Sequence, residues 1–157
     1  MLLFREINEK VNLVKQKLID AYMKTAETFA SLSTARRLHV GAIVVKDDRI
    51  ISIGYNGMPS GWDNTCEDFL SEDGEVIPNV TKTKPEVLHA ETNAIAKLAK
   101  SNESGMGATM FVTHSPCLDC AKLIYQSGIG HVLYRNSYRS DDGINFLTKA
   151  GVKVEKI

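Results

Sequence analysis

His89, Glu91, Cys117 and Cys120 are the residues of this sequence best suited to chemistry. They fall in two short segments, His89-Ala90-Glu91 and Pro116-Cys117-Leu118-Asp119-Cys120. One imidazole and two thiols make three protein ligands for a zinc ion whose fourth position stays open to water. Zinc in that setting brings the pKa of a bound water toward neutrality and so supplies a nucleophile at pH 7. Glu91, two residues beyond the His, can take that water's proton and pass it to a substrate nitrogen.

A Cys-x-x-Cys pair alone also suits a redox motif or half of a structural zinc site. A structural Cys₂His₂ site needs a fourth ligand, and no further Cys or His follows at finger-like spacing. A redox pair has no use for His-Ala-Glu or for the proline before the first Cys. The combination favours one catalytic Zn²⁺.

The surrounding pattern says what must hold these groups. Val11 to Leu32 carries apolar residues at helical spacing (Val14, Leu18, Tyr22, Ala26, Phe29) and predicts a long amphipathic helix. Val40 to Val45 and Ile50 to Tyr55 are β-rich runs around the turn Lys46 to Arg49, which predicts a hairpin. Asn56 to Gly61 is dense in turn residues, and an irregular stretch follows to about Pro85. Beyond it, helices at His89–Lys100, Cys117–Ser127 and Asp141–Lys149 alternate with strands at Ala108–Thr113, His131–Tyr134 and Val152–Ile157. The expected fold is a three-layer α/β/α domain over residues 1–157, with a five-stranded mixed sheet and a loop insert near 62–86. The last three strands should be parallel, joined by right-handed crossovers. His89 and Cys117 would then each open a helix, whose positive end favours hydroxide and thiolate.

Bulk composition narrows the function. The 157 residues carry 19 basic and 19 acidic side chains, a formal net charge of zero, so nothing draws the whole chain to nucleic acid or to an anionic membrane. No apolar run reaches membrane-spanning length. Met1 to Lys15 mixes charged and apolar residues without a signal-peptide core, and three cysteines suit a reducing compartment. The expectation is a cytoplasmic protein.

Four motifs carry a family resemblance: Val40-Gly41-Ala42, Gly54-Tyr55-Asn56-Gly57-Met58-Pro59-Ser60-Gly61, His89-Ala90-Glu91-Thr92-Asn93-Ala94 and Pro116-Cys117-Leu118-Asp119-Cys120-Ala121-Lys122. From about Leu18 to the C-terminus the chain resembles the deoxycytidylate deaminases of the cytidine-deaminase-like superfamily, phage and bacterial members in particular. The zinc motif identifies only the superfamily. The Asn-Gly-x-Pro-x-Gly loop, Asn93 and the insert point to deoxycytidylate. The resemblance implies His89, Cys117 and Cys120 as zinc ligands and Glu91 as the proton shuttle that turns dCMP and water into dUMP and ammonia. It also implies substrate contacts at Asn56 (to the 3′-hydroxyl), Asn93, Arg37 and Tyr138 (to the 5′-phosphate), with Arg36 and Arg139 as alternatives for the phosphate. A planar guanidinium can donate two parallel hydrogen bonds to phosphate oxygens.

The same resemblance implies activation by dCTP and inhibition by dTTP, with Mg²⁺ possible alongside the triphosphate. The effector site would be the loop holding Gly57, Met58, Pro59 and Gly61, in a homo-oligomer, commonly a hexamer. The role would be dUMP supply for thymidylate synthesis, in the host cytoplasm if the chain is phage-encoded. Some phage members hold a second, structural zinc through cysteines; here Ala35 and Thr65 stand at those positions, so one zinc is expected and Cys66 reads as a lone, half-buried thiol. His114 is a second-tier pocket residue. His39 and His131 read as satisfied polar groups, Trp62 as a loop anchor or a subunit contact, and Lys82-Thr83-Lys84 as a solvated loop. The alternatives are a tRNA adenosine or other nucleobase deaminase and a catalytically silent nucleotide-sensing zinc protein. Zero net charge and the insert count against the first, and Glu91 counts against the second.

Overall fold

The computed structural model describes residues 15–157; the expected helical start at Val11 to Val14 lies outside them. Five strands form one mixed sheet: β1 (Gly41–Lys46), β2 (Arg49–Tyr55), β5 (Thr109–His114), β6 (His131–Asn136) and β7 (Lys153–Lys156), in the spatial order β2-β1-β5-β6-β7. β1 pairs antiparallel with both β2 and β5, whereas β5, β6 and β7 run parallel. The parallel expectation for the last three strands is met.

Side-chain alternation assigns the two faces. Ile43, Val45, Phe111 and Leu133 point to one side and pack on Met23 and Ala26 of α1 (Gln16–Ala30). Ala42, Val44, Met110, Val112 and Val132 point to the other, against α2 (Ala90–Ala99), α3 (Leu118–Gln126) and α4 (Asp142–Lys149). β5-α3-β6 and β6-α4-β7 step in one direction across the sheet, so crossovers of one hand put both helices on one face. The layers are therefore uneven, one helix against three.

Local chemistry explains the boundaries. α1 stops at Ala30, short of the expected Leu32, because the chain turns where the Ser33 hydroxyl donates to the Asn56 carbonyl at 2.7 Å. Asp47 and Asp48 both adopt positive φ, the tight turn that a twisted hairpin requires.

The insert departs from expectation. Residues 67–83 are not irregular: β3 (Glu67–Glu72) and β4 (Glu75–Thr83) form a separate two-stranded antiparallel hairpin. Its turn, Asp73-Gly74, has positive φ at both residues. Lys82 and Thr83 accordingly end a strand rather than lying in a solvated loop, and Lys84 pairs with Asp68 at 3.6 Å. Cys66, expected half-buried, is buried outright beneath the hairpin's root, with Thr34 Oγ1 3.4 Å from its sulfur.

Candidate active site

Topology gathers the site at one end of the sheet. Because β1 is antiparallel to β5, the amino end of β1, the carboxyl end of β2 and the carboxyl ends of β5 and β6 all meet there. A cavity of about 240 Å³ opens at this end, lined by His114 of β5 and by Val40, Asn56 and Tyr138 just beyond the ends of the other three strands.

The metal-binding groups sit on helix starts, as the sequence predicts. His89 is the N-cap of α2 and Cys117 the N-cap of α3, both in extended backbone geometry, with Cys120 in the first turn of α3. His89 Nδ1 lies 3.3 Å from Cys120 Sγ and 3.6 Å from Cys117 Sγ, and the three ligand atoms all fall within 4.8 Å of one another. Zinc bonds of about 2.0–2.3 Å at tetrahedral angles place neighbouring ligands about 3.5–3.8 Å apart. The donor set fits one zinc ion, and among the described residues it is the only such cluster.

Hydrogen bonds from Cys120 and His89 pull the Cys117 thiol down to about 4, while the Cys120 thiol is pushed up by its bond to Cys117 and by burial. The hydrogen bond to Cys117 raises His89. Metal loading must therefore displace a thiol proton from this pair. Glu91, on the first turn of α2, is 4% exposed and lines the cavity. Burial raises its carboxyl to about 7.

Two close approaches set the ligand-bearing helices in place. A Cβ on Gly54 of β2 would collide with the Ala90 carbonyl and the Ala94 amide of α2, and one on Gly143 of α4 would collide with the backbone of Pro116 and Cys117. Only glycine permits either contact.

The expected substrate residues divide. Asn56, Arg37 and Tyr138 line the cavity together, and so does Arg139, whereas Arg36 does not. Arg139 lies over the Tyr138 ring, 5.0 Å from its centroid. The Asn56 amide is already engaged: Oδ1 accepts from Val40 N at 2.8 Å and Nδ2 donates to the Leu38 carbonyl at 2.8 Å. One lone pair and one N–H remain for a ligand. Asn93 is not among the lining residues; its Nδ2 donates to the Tyr55 carbonyl at 3.1 Å, tying α2 to the end of β2. Met58, Pro59 and Gly61 lie outside the cavity, and so does Gly57, which exchanges two backbone hydrogen bonds with Leu88.

His114 does reach the cavity, edge-on to Tyr138 at 6.0 Å, with Nδ1 2.9 Å from Thr113 Oγ1. His39 donates to the Ala35 carbonyl at 2.6 Å, His131 is buried against Glu155, and Trp62 is 57% exposed. The sequence reading missed Ser115 and Glu67. The Ser115 hydroxyl accepts from the Tyr138 amide at 2.8 Å and so anchors the Tyr138-Arg139 loop. Glu67 lines the cavity from the insert. A serine next to Pro116 carried a faint signal; an acid in a charged insert carried none.

Comparison with known proteins places this geometry. The family described as the cytidine and deoxycytidylate deaminase zinc-binding region matches residues 16–136. The deoxycytidylate deaminase of Enterobacteria phage T4 is 37% identical over 149 residues, covering 73% of this chain and 77% of its own. The Homo sapiens deoxycytidylate deaminase is 38% identical over 137 residues, covering 82% of this chain and 74% of its own. The dCMP deaminase of cyanophage S-TIM5, crystallised with dCMP and dUMP, matches with a TM-score of 0.81 and 50% identity, covering 92% of this chain and 99% of its own.

Proposed function

The chain belongs to the cytidine and deoxycytidylate deaminase family, and on that premise we propose that it hydrolyses dCMP to dUMP and ammonia with a single zinc ion. The observation that carries the reading is one cavity lined by Glu91, by His89 and Cys117 of the His89-Cys117-Cys120 cluster, and by two arginines, Arg37 and Arg139. A zinc ion held there supplies a water acidic enough to attack at neutral pH.

The chain's own residues do the rest. Glu91 takes one proton of the attacking water and donates it to the ring nitrogen beside carbon 4 as the water oxygen bonds to that carbon, then moves the remaining hydroxyl proton to the amine. The carbon–nitrogen bond to the amine breaks, ammonia leaves, and the oxygen stays as the carbonyl. The spare valences of Asn56 meet the 3′-hydroxyl, and Asn93 holds the start of α2 in place through Tyr55 rather than reaching the substrate. Arg37, Arg139 and Tyr138 receive the 5′-phosphate, which separates the nucleotide from the free nucleoside.

Regulation by dCTP and dTTP, with Mg²⁺ accompanying the triphosphate, belongs to the same reading, as do a homohexamer, a cytoplasmic setting and the supply of dUMP for thymidylate. The family resemblance supports these. Within the effector loop, Met58, Pro59 and Gly61 are the better contacts, since the Gly57 amide is spent on Leu88. No described helix is long and apolar enough to cross a membrane.

The test is direct. The zinc-loaded protein is incubated separately with dCMP, deoxycytidine and dCTP, with and without dCTP or dTTP as effector, and the loss of cytosine absorbance is followed. Turnover of dCMP well above deoxycytidine is expected. Equal turnover of the two removes the phosphate reading, and no turnover of any cytosine nucleotide removes the deaminase reading.

A further inference from the structure

Within the hairpin 67–83, Glu67 is the one residue that is fully buried; the rest of β3 is exposed, and β4 is exposed apart from two half-buried positions. A single buried carboxylate at the root of a solvated hairpin requires partners. Its Oε1 accepts two backbone hydrogen bonds, from Arg36 N at 2.8 Å and Arg37 N at 3.2 Å. The same root is fastened again by Thr34 Oγ1 donating to the Asn64 carbonyl at 3.0 Å and by Lys84 N donating to the Cys66 carbonyl at 2.8 Å. Glu67 also lines the cavity alongside Arg37 and Thr83.

A negative side chain beside a phosphate-binding arginine opposes the ligand electrostatically, so direct attraction of the phosphate is not its contribution to binding. What it supplies is an acceptor. Residues 33–38 form neither helix nor strand, and their backbone N–H groups need partners fixed in space. Two consecutive amides captured by one oxygen fix the turn at Arg36-Arg37 and with it the direction in which the Arg37 side chain leaves the backbone.

We propose that Glu67 is a positioning residue for nucleotide phosphate: the insert, through this one carboxylate, aims Arg37 into the cavity. The inference rests on the reading of Arg37 as a phosphate ligand. Its effect should appear in recognition of the 5′-phosphate and be absent from the chemistry at the base.

The experiment compares Glu67→Ala and Glu67→Gln with the unaltered zinc-loaded protein, measuring kcat and KM for dCMP and kcat/KM for deoxycytidine. Glu67→Ala should raise KM for dCMP about tenfold or more, with kcat within about twofold and deoxycytidine turnover unchanged. Glu67→Gln keeps an oxygen acceptor at the same place and should restore KM, or lower it through loss of the opposing charge. Equal losses on dCMP and deoxycytidine in Glu67→Ala would overturn the proposal in favour of a general structural role. A Gln variant as impaired as the Ala variant would overturn it in favour of the charge. Arg37→Ala separates the premise from the inference. If that variant retains the normal KM for dCMP, the phosphate reading of Arg37 is wrong. If it raises KM and adding Glu67→Ala raises KM again by the same factor, the two residues act independently and the positioning role is wrong.

Discussion

Gly54 on β2 lies so close to the Ala90 carbonyl of α2 that no side chain fits between them. Ala90 stands between His89 and Glu91, so this contact sets the depth at which those two side chains enter the cavity. Gly54→Ala should destabilise the fold by about 1–3 kcal/mol and reduce turnover by more than the loss of folded protein explains. A Cβ on Gly57 would meet nothing within 4 Å, so Gly57→Ala is the matched comparison for stability. Thermal melts of the two variants check this; equal melting temperatures would contradict the packing argument.

Glu91→Gln keeps the shape of the side chain and removes its capacity to accept a proton. Metal content should stay at one zinc per chain while kcat falls by about 10²–10⁴-fold. Elemental analysis and steady-state kinetics on the same preparation decide it. A variant with normal kcat would exclude Glu91 from proton transfer.

The candidate metal cluster ties the start of α2 to the start of α3, two segments nearly thirty residues apart in sequence. Chelation should therefore cost stability as well as activity, lowering the melting temperature by about 10 °C in a domain of this size, and restored zinc should recover both. Cys120→Ser should prevent stoichiometric loading. A melting temperature indifferent to chelator would argue that the helices hold their ligands in place unaided.

His131 offers a pH test away from the active site. Its Nε2 lies 2.6 Å from Glu155 Oε2, and its buried Nδ1 has no hydrogen-bond partner among the described residues. Burial holds its pKa below the usual histidine value in spite of Glu155, and Lys153 pushes the same way as burial. Unfolded His131 takes up a proton near pH 6.5 and folded His131 only at lower pH, so the unfolded chain binds more protons in between. Its contribution to stability is complete above about pH 6.5 and declines as pH falls through the folded value. NMR of the ring protons should show a midpoint below 6.5, moved lower still by Glu155→Gln. A midpoint above 6.5 would reverse the sign.

Much of this was legible in the sequence, for physical reasons. β1, β2, β5 and β6 are runs rich in apolar β-branched and aromatic residues, whereas β7 (Lys153–Lys156) alternates charged and apolar groups more weakly, and His89, Cys117 and Cys120 are defined by ligand type and spacing alone. The hairpin 67–83 was not read, although Asp73-Gly74 is a strong turn signal. Its strands face solvent on both sides, so they lack the apolar alternation that marks a half-buried strand. Glu67 was invisible for a related reason. Its burial depends on amides at Arg36 and Arg37, thirty residues away, and local composition carries no trace of them. Family resemblance singles out Asn56 as a contact for the 3′-hydroxyl, but its fastening of Leu38 and Val40 emerges only from the fold.

The hairpin's attachment at a single root has an evolutionary consequence. Beyond Glu67 and Thr83 no residue of the hairpin lines the cavity, so mutations or length changes there leave the His89-Cys117-Cys120 cluster and Glu91 untouched. Selection can then reshape the outer hairpin without retuning the pocket behind it.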